Sequence, residues 1–477
     1  MNLPAHKTKI VATIGPASRS PEMLERLIGA GMNVARLNFS HGDFDGHAEV
    51  ISRLRSAASS LGRRVAIMAD LPGPKMRLGE IAPEPVMIEA GAGLILTNED
   101  IVGDAHRISM SFEALPRVVK PGDRLFLNDG LLQIAVERVA GNDTYCRVLV
   151  GGELRSRKGL NIPGIELGIS AFTDHDRECL RFALAHGVDA VSQSFVESAA
   201  DIETLREAAR EMGGKPFIIA KIERTRAVER FAEILAATDG VMIARGDLGV
   251  EIPIEEIAVQ QKRLIARANL AGKPVITATQ MLESMTHTRL PTRAETTDVA
   301  NAILDGTDCV MLSGESAMGK FPEEAVAMLG RIAACTEANR CGDFLAQQRL
   351  RLSKPATGTE LVSQFVEAAV RTAQFDALVV PTHSGATARM TARFRLPEWI
   401  IAFTTHPETA QNLCFSSGVL SIALPAYPEE WTPTVQTTLE QLGMSARRVL
   451  LITGPSEQRP DANRRIELLD FSHTQSG

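Results

Sequence analysis

Eight short aliphatic runs, each ending in polar residues, limit what this chain can fold into. They are Lys9–Ile14, Asn33–Leu37, Arg64–Ala69, Ala190–Ser194, Phe217–Lys221, Gly240–Ala244, Pro274–Ala278 and Cys309–Leu312. A continuous aliphatic run reads as a parallel strand covered on both faces. Between most of them lie amphipathic helical patterns. Ser20–Ala30 opens with Ser-Pro and closes at Gly31; Glu255–Ala271 stops at Gly272; Pro291–Asp305 stops at Gly306. Prolines at helix starts and glycines just past helix ends are expected from backbone geometry. Eight strands alternating with helices predict an α/β fold of the (β/α)8 barrel type, with its chemistry where the strands end.

Two stretches break the rhythm. From Leu71 to about Ser170, short β-like runs (Val86–Glu89, Leu94–Thr97, Arg124–Leu127, Gln133–Val139, Tyr145–Val150) are separated by Gly, Asn and Asp. That turn density predicts a small β-barrel domain, inserted over 71–166 as a lid. Its junctions, Pro72-Gly73-Pro74 and Asn161 to Gly164, read as hinges. The barrel is then divided into 1–70 and 167–341. Beyond it, a helix over Glu360–Gln374 and strands at Ala377–Pro381, Ile400–Phe403, Val419–Ala423 and Val449–Thr453 predict a separate α/β domain over 342–477. In it, Thr382 to Thr387 is a hydroxyl- and glycine-rich loop that opens a helix. Such a loop reads either as an anion site or as an ordinary helix cap.

The bulk numbers exclude several classes. With 477 residues, 44% hydrophobic and 23% charged, the composition is that of a globular protein. A net charge of −7 without a basic stripe argues against nucleic acid as the main partner. No apolar run approaches the ~20 residues of a membrane span. The N-terminus has no apolar signal-peptide segment, so a cytoplasmic location is expected. The six cysteines show no metal-ligand spacing and read as reduced thiols.

Chemistry-bearing residues cluster after the runs. Lys221 and Glu223 close FIIAKIE, Gly246 and Asp247 follow VMIAR, and Thr279 ends VITAT. Lys221 taken alone reads as a lysine snorkelling out of the core, an electrophile or a Schiff-base amine. Two carboxylates at adjacent strand ends suit a hard divalent cation, or a plain salt bridge. Glycines in GDLG allow a ligand to approach backbone amides closely. Arg36, Asn38 and Ser40 alternate in ARLNFSHG, which places them on one face of an extended segment. Asp70 ends the third run, and Ser313 and Glu315 end the eighth. A cation, several acids, an arginine and amide donors together suit phosphoryl transfer, which depends on positioning and charge neutralisation. Neither a Walker loop nor a GxGxxG fingerprint is present.

On these residues the chain resembles the pyruvate kinase family. The motifs are KIVATIGPAS, NVARLNFSHG, GPKMR, RKGLNIPG, AKIE, ARGDLGVEIP, ATQMLESM, PTRAE, DVANAILDG and MLSGES, spread over nearly the whole chain. The resemblance implies transfer of the phosphoryl group of phosphoenolpyruvate to ADP, giving pyruvate and ATP. It implies Glu223 and Asp247 as ligands of Mg2+ (or Mn2+), and Gly246, Asp247 and Thr279 as contacts to the substrate carboxylate. Arg36 then binds phosphate, and Lys221 stabilises charge on the moving group. Pro16, His41, Arg77 and Lys158 are implied near the nucleotide. Thr279, with Ser313 or Glu315, is implied in protonating the enolpyruvate carbon. Thr382, Ser384, Gly385 and Thr387 match a phosphate-binding effector loop, and a homotetramer is implied.

The chain also departs from the family pattern. Potassium-requiring members resemble DTKGPEIRT where this chain reads Asp70-Leu71 followed by PGPKMRL, so Lys75 stands in place of a glutamate and Leu71 in place of a threonine. A fixed ammonium repels a second cation by about 4 kcal/mol at ~4 Å and an effective dielectric near ~20. K+ is therefore expected to be dispensable, although Asn38, Ser40 and Asp70 of the family's potassium site are retained. Near the C-terminus TGPSEQRPDANRRIELLD lacks a Trp- or Gly-rich loop, which points to a sugar monophosphate rather than a bisphosphate as effector. Met318 replaces a lysine that some relatives carry. A Schiff-base aldolase or lyase using Lys221, or a silent metabolite sensor, are the competing readings.

Overall fold

The computed structural model describes residues 3–74, 76–128, 130–165, 168–340, 357–455 and 463–471. Eight parallel strands close into a barrel: β1 (Lys9–Thr13), β2 (Met32–Asn38), β3 (Ala66–Asp70), β4 (Ala190–Gln193), β5 (Phe217–Ile222), β6 (Gly240–Ala244), β7 (Val275–Ala278) and β8 (Cys309–Leu312). All eight coincide with the aliphatic runs to within two residues at either end. The helices between them stop at the expected glycines, but the helix expected from Pro291 begins at Arg293, with Pro291 ahead of its cap Thr292. Ser20 Oγ accepts the amide of Met23 at 3.2 Å, and Gly31 closes that helix at φ +118°. Thr292 and Glu295 form a capping box, and Gly306 ends the same helix at φ +94°.

Strand alternation sorts the side chains. In β5, Ile218, Ala220 and Ile222 face the surrounding helices, while Phe217 and Ile219 fill the barrel interior. Lys221 shares the inward parity, one step nearer the carboxyl end. The same parity turns Arg36 and Asn38 of β2, Asp70 of β3 and Ser192 of β4 inward. The register places Asn38 opposite Asp70 and Ser192 opposite Asp70. The other end of the barrel is plugged by Phe415, which stacks on Phe217 at 5.5 Å between centroids.

The inserted lid is a curled six-stranded sheet with its own apolar core, plus a two-stranded ribbon. Three of its strands, Arg107–Ser109, Gly152–Leu154 and Leu160–Asn161, are too short to register as sequence patterns. At its root the outgoing and returning segments pair: Arg77 bridges Gly159, and the amide of Leu78 donates to the Lys158 carbonyl at 2.9 Å.

The C-terminal part is a five-stranded sheet ordered Val419–Ala423, Trp399–Thr404, Ala377–Pro381, Arg448–Thr453 and Arg465–Asp470, the last antiparallel. That edge strand was not expected from sequence; its alternation is blurred because four of its six residues in a row are exposed. Arg395 joins this part to the barrel. Its guanidinium donates to Asn269 Oδ1 at 2.9 Å and to Asp308 Oδ2 at 2.8 Å, both barrel residues. Among the described residues no helix is long and apolar enough to cross a membrane.

Candidate active site

The inward residues at the carboxyl ends of β2 to β5 form one charged network. Asp70 is its hub. Its Oδ2 accepts Arg36 Nε at 3.0 Å and a second, shorter bond from Arg36 Nη2. Its Oδ1 accepts Ser192 Oγ at 2.6 Å and lies 3.6 Å from Lys221 Nζ. Burial alone would raise the Asp70 pKa, but the charges of Lys221 and Arg36 outweigh it and hold it below the usual carboxylate range. Thr13 braces the other side of Arg36, accepting Nη1 at 2.9 Å.

Lys221 Nζ donates to Ser194 Oγ at 2.7 Å and lies 3.2 Å from Glu223 Oε2. Burial works against its charge. Asp70, Glu223 and Asp247 outweigh burial, so its pKa is raised and the ammonium keeps its proton. A protonated amine held by acids is a poor Schiff-base nucleophile.

Glu223 is 1% exposed. The Phe195 amide donates to its Oε1 at 2.7 Å, whereas no hydrogen bond reaches its buried Oε2. Burial pushes the Glu223 pKa up and Asp247 adds to the rise, against the pull of Lys221. A buried carboxylate oxygen with no hydrogen bond, whose close partner is the Lys221 ammonium at 3.2 Å, suits a hard cation beside a second acid. Among the described residues no group of three or more His, Cys, Asp or Glu is placed to hold a metal alone. Mg2+ needs only one or two carboxylates when substrate phosphate and water complete its shell, so the residues fit.

Gly246 and Asp247 lie in the helical turn Arg245–Glu251 that directly follows β6. The Gly246 amide donates to Thr279 Oγ1 at 2.8 Å. Thr279 and Gln280 have φ of +67° and +53°, a left-handed region that is costly for a β-branched threonine. Arg245 holds that turn in place. Its Nη2 donates to the Thr279 carbonyl at 2.7 Å, its Nε to the Ala278 carbonyl at 3.2 Å and its Nη1 to Asp298 at 2.7 Å. Glu315 is fully buried and turned to backbone: its oxygens accept the amides of Ser313 at 2.7 Å and Leu282 at 3.1 Å. It therefore ties the β8 loop to the segment after β7.

Pro16 and His41 are exposed on the loops after β1 and β2, which are neighbours in the barrel. Arg77 and Lys158 lie on the paired segments at the lid root. Asn38 Oδ1 accepts the Ser40 amide at 3.2 Å, and the Leu71 carbonyl accepts Ser194 Oγ at 2.6 Å. Lys75 lies outside the described residues. The sequence reading missed Thr13, Ser192, Ser194, Arg245 and Arg224. Arg224 is 1% exposed and donates to the Ile165 carbonyl at 3.1 Å, which ties the returning lid segment to β5. An arginine directly after AKIE is the one available sequence signal for it.

This geometry defines a barrel enzyme that handles negative charge at its carboxyl-end face, beneath an inserted lid. Comparison with known proteins agrees. The family descriptions "Pyruvate kinase, barrel domain" and "Pyruvate kinase, alpha/beta domain" match residues 5–326 and 360–457. A pyruvate kinase of Thermococcus litoralis is 49% identical over 424 residues, covering 88% of this chain and 89% of its own length. One of Geobacillus stearothermophilus is 42% identical over 443 residues, covering 92% and 74%. A crystal structure of a Cryptosporidium parvum pyruvate kinase superposes with a TM-score of 0.91 at 36% identity, covering 98% of this chain and 96% of that one. The chain belongs to the pyruvate kinase family. Its activity is transfer of the phosphoryl group of phosphoenolpyruvate to ADP, giving pyruvate and ATP. The family generally uses a divalent metal.

Proposed function

We propose that the network of Arg36, Asp70, Lys221 and Glu223 performs the transfer, and that this one arrangement carries the assignment of roles. A divalent cation on Glu223 and Asp247 would supply positive charge at the phosphoryl oxygens. Lys221 and Arg36, both fixed by Asp70, bind those oxygens and stabilise them as the P–O bond to enolpyruvate breaks and the P–O bond to ADP forms. The amides of Gly246 and Asp247, with Thr279, hold the substrate carboxylate. Enolpyruvate then takes a proton on its methylene carbon from the side of Thr279 and Ser313, and Glu315 acts by positioning that loop. Pro16, His41, Arg77 and Lys158 contact the nucleotide, the last two from the lid root. The division at 71–166 and after 341 separates lid and regulatory parts from the barrel.

The test is a coupled assay with phosphoenolpyruvate, ADP and Mg2+ on the wild type and on Glu223→Gln. Full turnover in the variant would refute the metal assignment. Borohydride trapping with a keto acid should label nothing; covalent labelling at Lys221 would favour a lyase instead.

K+ independence is inferred from the sequence, where Lys75 stands in place of a glutamate of the potassium-requiring members. Turnover should be the same in sodium buffer and in potassium buffer, and strong activation by K+ would overturn the reading. For the effector, Thr382, Ser384 and Thr387 line a pocket of about 170 Å³ together with Arg464. Gly385 takes φ +78°, and its amide donates to Thr382 Oγ1 at 3.0 Å. A sugar monophosphate is the occupant this chemistry favours, acting within a cytoplasmic homotetramer. A phosphoenolpyruvate response curve unmoved by saturating glucose 6-phosphate would count against it.

A further inference from the structure

Arg224 directly follows Glu223 at the end of β5. Among the described residues it is the largest side chain so deeply buried, at 1% exposure. Its Nη2 donates to the Ile165 carbonyl at 3.1 Å and to the Ile162 carbonyl at 3.5 Å. Ile162 belongs to the apolar core of the lid, and Ile165 packs against that core. The guanidinium therefore grips the body of the lid rather than a slack linker. On the barrel side, Nη2 lies 3.3 Å from Glu197 Oε1 in the segment after β4. Its Nε lies 3.5 Å from Oε2 of Glu251, the residue that ends the helical turn Arg245–Glu251.

Burial at this junction is not spent on stability. Arg224 Nε and Nη1 and Glu251 Oε1 are buried with no hydrogen bond among the described residues. An ion pair so incompletely bonded adds little to folding, because desolvation of both charges offsets their attraction. What it does supply is position, and other contacts converge on the same place. The tip of the lid meets the residue before Glu251: an added Cβ on Gly130 would sit 3.4 Å from Val250 Cγ2. The outgoing lid segment has its own anchor, where the Gly73 amide donates to Oδ1 of the fully buried Asp176 at 2.9 Å. Arg224 is the corresponding anchor of the returning segment, and that segment carries Lys158.

We infer that Arg224 is a positioning residue for the nucleotide half of the reaction: it locks the returning lid segment, and with it Lys158, against the end of β5. It touches none of the reacting groups itself. The inference rests on the reading of Arg77 and Lys158 as nucleotide contacts. Phosphoenolpyruvate, held by barrel residues alone in that reading, does not depend on the lock.

The experiment compares the full-length wild type with Arg224→Lys, Arg224→Met/Glu251→Leu and Lys158→Gln. Lysine keeps the charge but not the fork that spans two carbonyls and two acids. The double variant removes both buried charges together, and Glu197 keeps Arg226 at 3.7 Å, so it should fold. Steady-state assays give the KM for each substrate, and amide hydrogen exchange over residues 157–165 reports the lid segment directly. The double variant should raise the KM for ADP by about tenfold, inside the ~100-fold that misplacing a positioning group can cost. The KM for phosphoenolpyruvate should change little, exchange over 157–165 should quicken, and Arg224→Lys should fall between. Unchanged exchange overturns the proposal, as does an equal rise in both KM values, which marks a purely structural role. Faster exchange with an unchanged KM for ADP overturns it when Lys158→Gln raises that KM. Where Lys158→Gln leaves it unchanged too, the nucleotide reading fails instead, and exchange alone decides whether Arg224 holds the lid.

Discussion

In the proposed mechanism Lys221 depends on neighbours that keep it charged and immobile at once. Ser194 fixes its direction, and Asp70 and Glu223 flank it. Replacing it with methionine removes a donor aimed at developing charge while leaving the carboxylates in place. We expect kcat to fall by about 10²–10³-fold, with the KM for ADP little changed, in steady-state assays. Arg245 acts one step back, through the strained Thr279 turn. Arg245→Lys replaces the planar fork that spans both carbonyls and Asp298 with a single compact ammonium. It should lower kcat and raise the KM for phosphoenolpyruvate, with little effect on the KM for ADP. Equal loss for both substrates would show that it supports the fold alone. Of these residues, Lys221, Arg36, Asp70, Glu223 and Asp247 were legible in sequence because each ends an aliphatic run. Ser192, Ser194 and Thr13 were not, because a small hydroxyl residue beside a strand end has many ordinary uses.

At the scale of elements, the loops after the strands must pack closely to keep the mouth of the barrel narrow. Gly15, after β1, shows how tight this is: an added Cβ would sit 2.6 Å from the Ala317 carbonyl oxygen and 2.9 Å from the Ala317 Cβ. The Ala17 amide also donates to that Ala317 carbonyl at 2.9 Å, so the loop cannot swing away without losing that bond. Gly15→Ala should destabilise by about 1–3 kcal/mol, the range for forced overpacking, read as a lower thermal midpoint. Because the segment after β8 must shift, turnover should fall as well. An unchanged midpoint would mean that the two loops separate freely. Capping signals made the helix ends readable, since caps are local chemistry. The short lid strands were unreadable because pairing across the sheet, rather than two or three residues of local preference, holds them.

For the molecule as a whole, the C-terminal part is fastened to the barrel by buried ionic chemistry. Arg395 and Asp308 are 8% and 4% exposed. Arg395→Met takes the counter-charge from buried Asp308, which keeps only the amides of Val275 at 3.1 Å and Ser417 at 2.9 Å, a loss of up to about 3–5 kcal/mol by analogy with other broken buried pairs. Scanning calorimetry should show the unfolding of the C-terminal part moving to lower temperature, with partial recovery in Arg395→Met/Asp308→Leu. Additive losses in the double variant would refute the coupling. Lys7, at the same junction, has its pKa lowered from the usual 10.5 to about 8 by burial, against the pull of Glu337 and Glu398. Between those two values the unfolded chain holds the proton more than the folded one. This residue's contribution to stability therefore rises with pH across that window. Lys7→Met should remove that rise when thermal midpoints are compared at either end of the window, and an identical pH profile would exclude the assignment.

Local patterns of aliphatic runs, caps and turn residues determined the barrel, its inserted lid and its C-terminal α/β part. They also placed the charged residues at the strand ends, because strand period and helix boundaries are set by neighbours in the chain. Closure of the barrel decided the rest. It made Asp70 the shared partner of Arg36, Ser192 and Lys221, clamped Thr279 through Arg245, and set Arg395 against Asp308. Those partners are far apart along the chain, and only three-dimensional packing brings their charges within hydrogen-bonding distance.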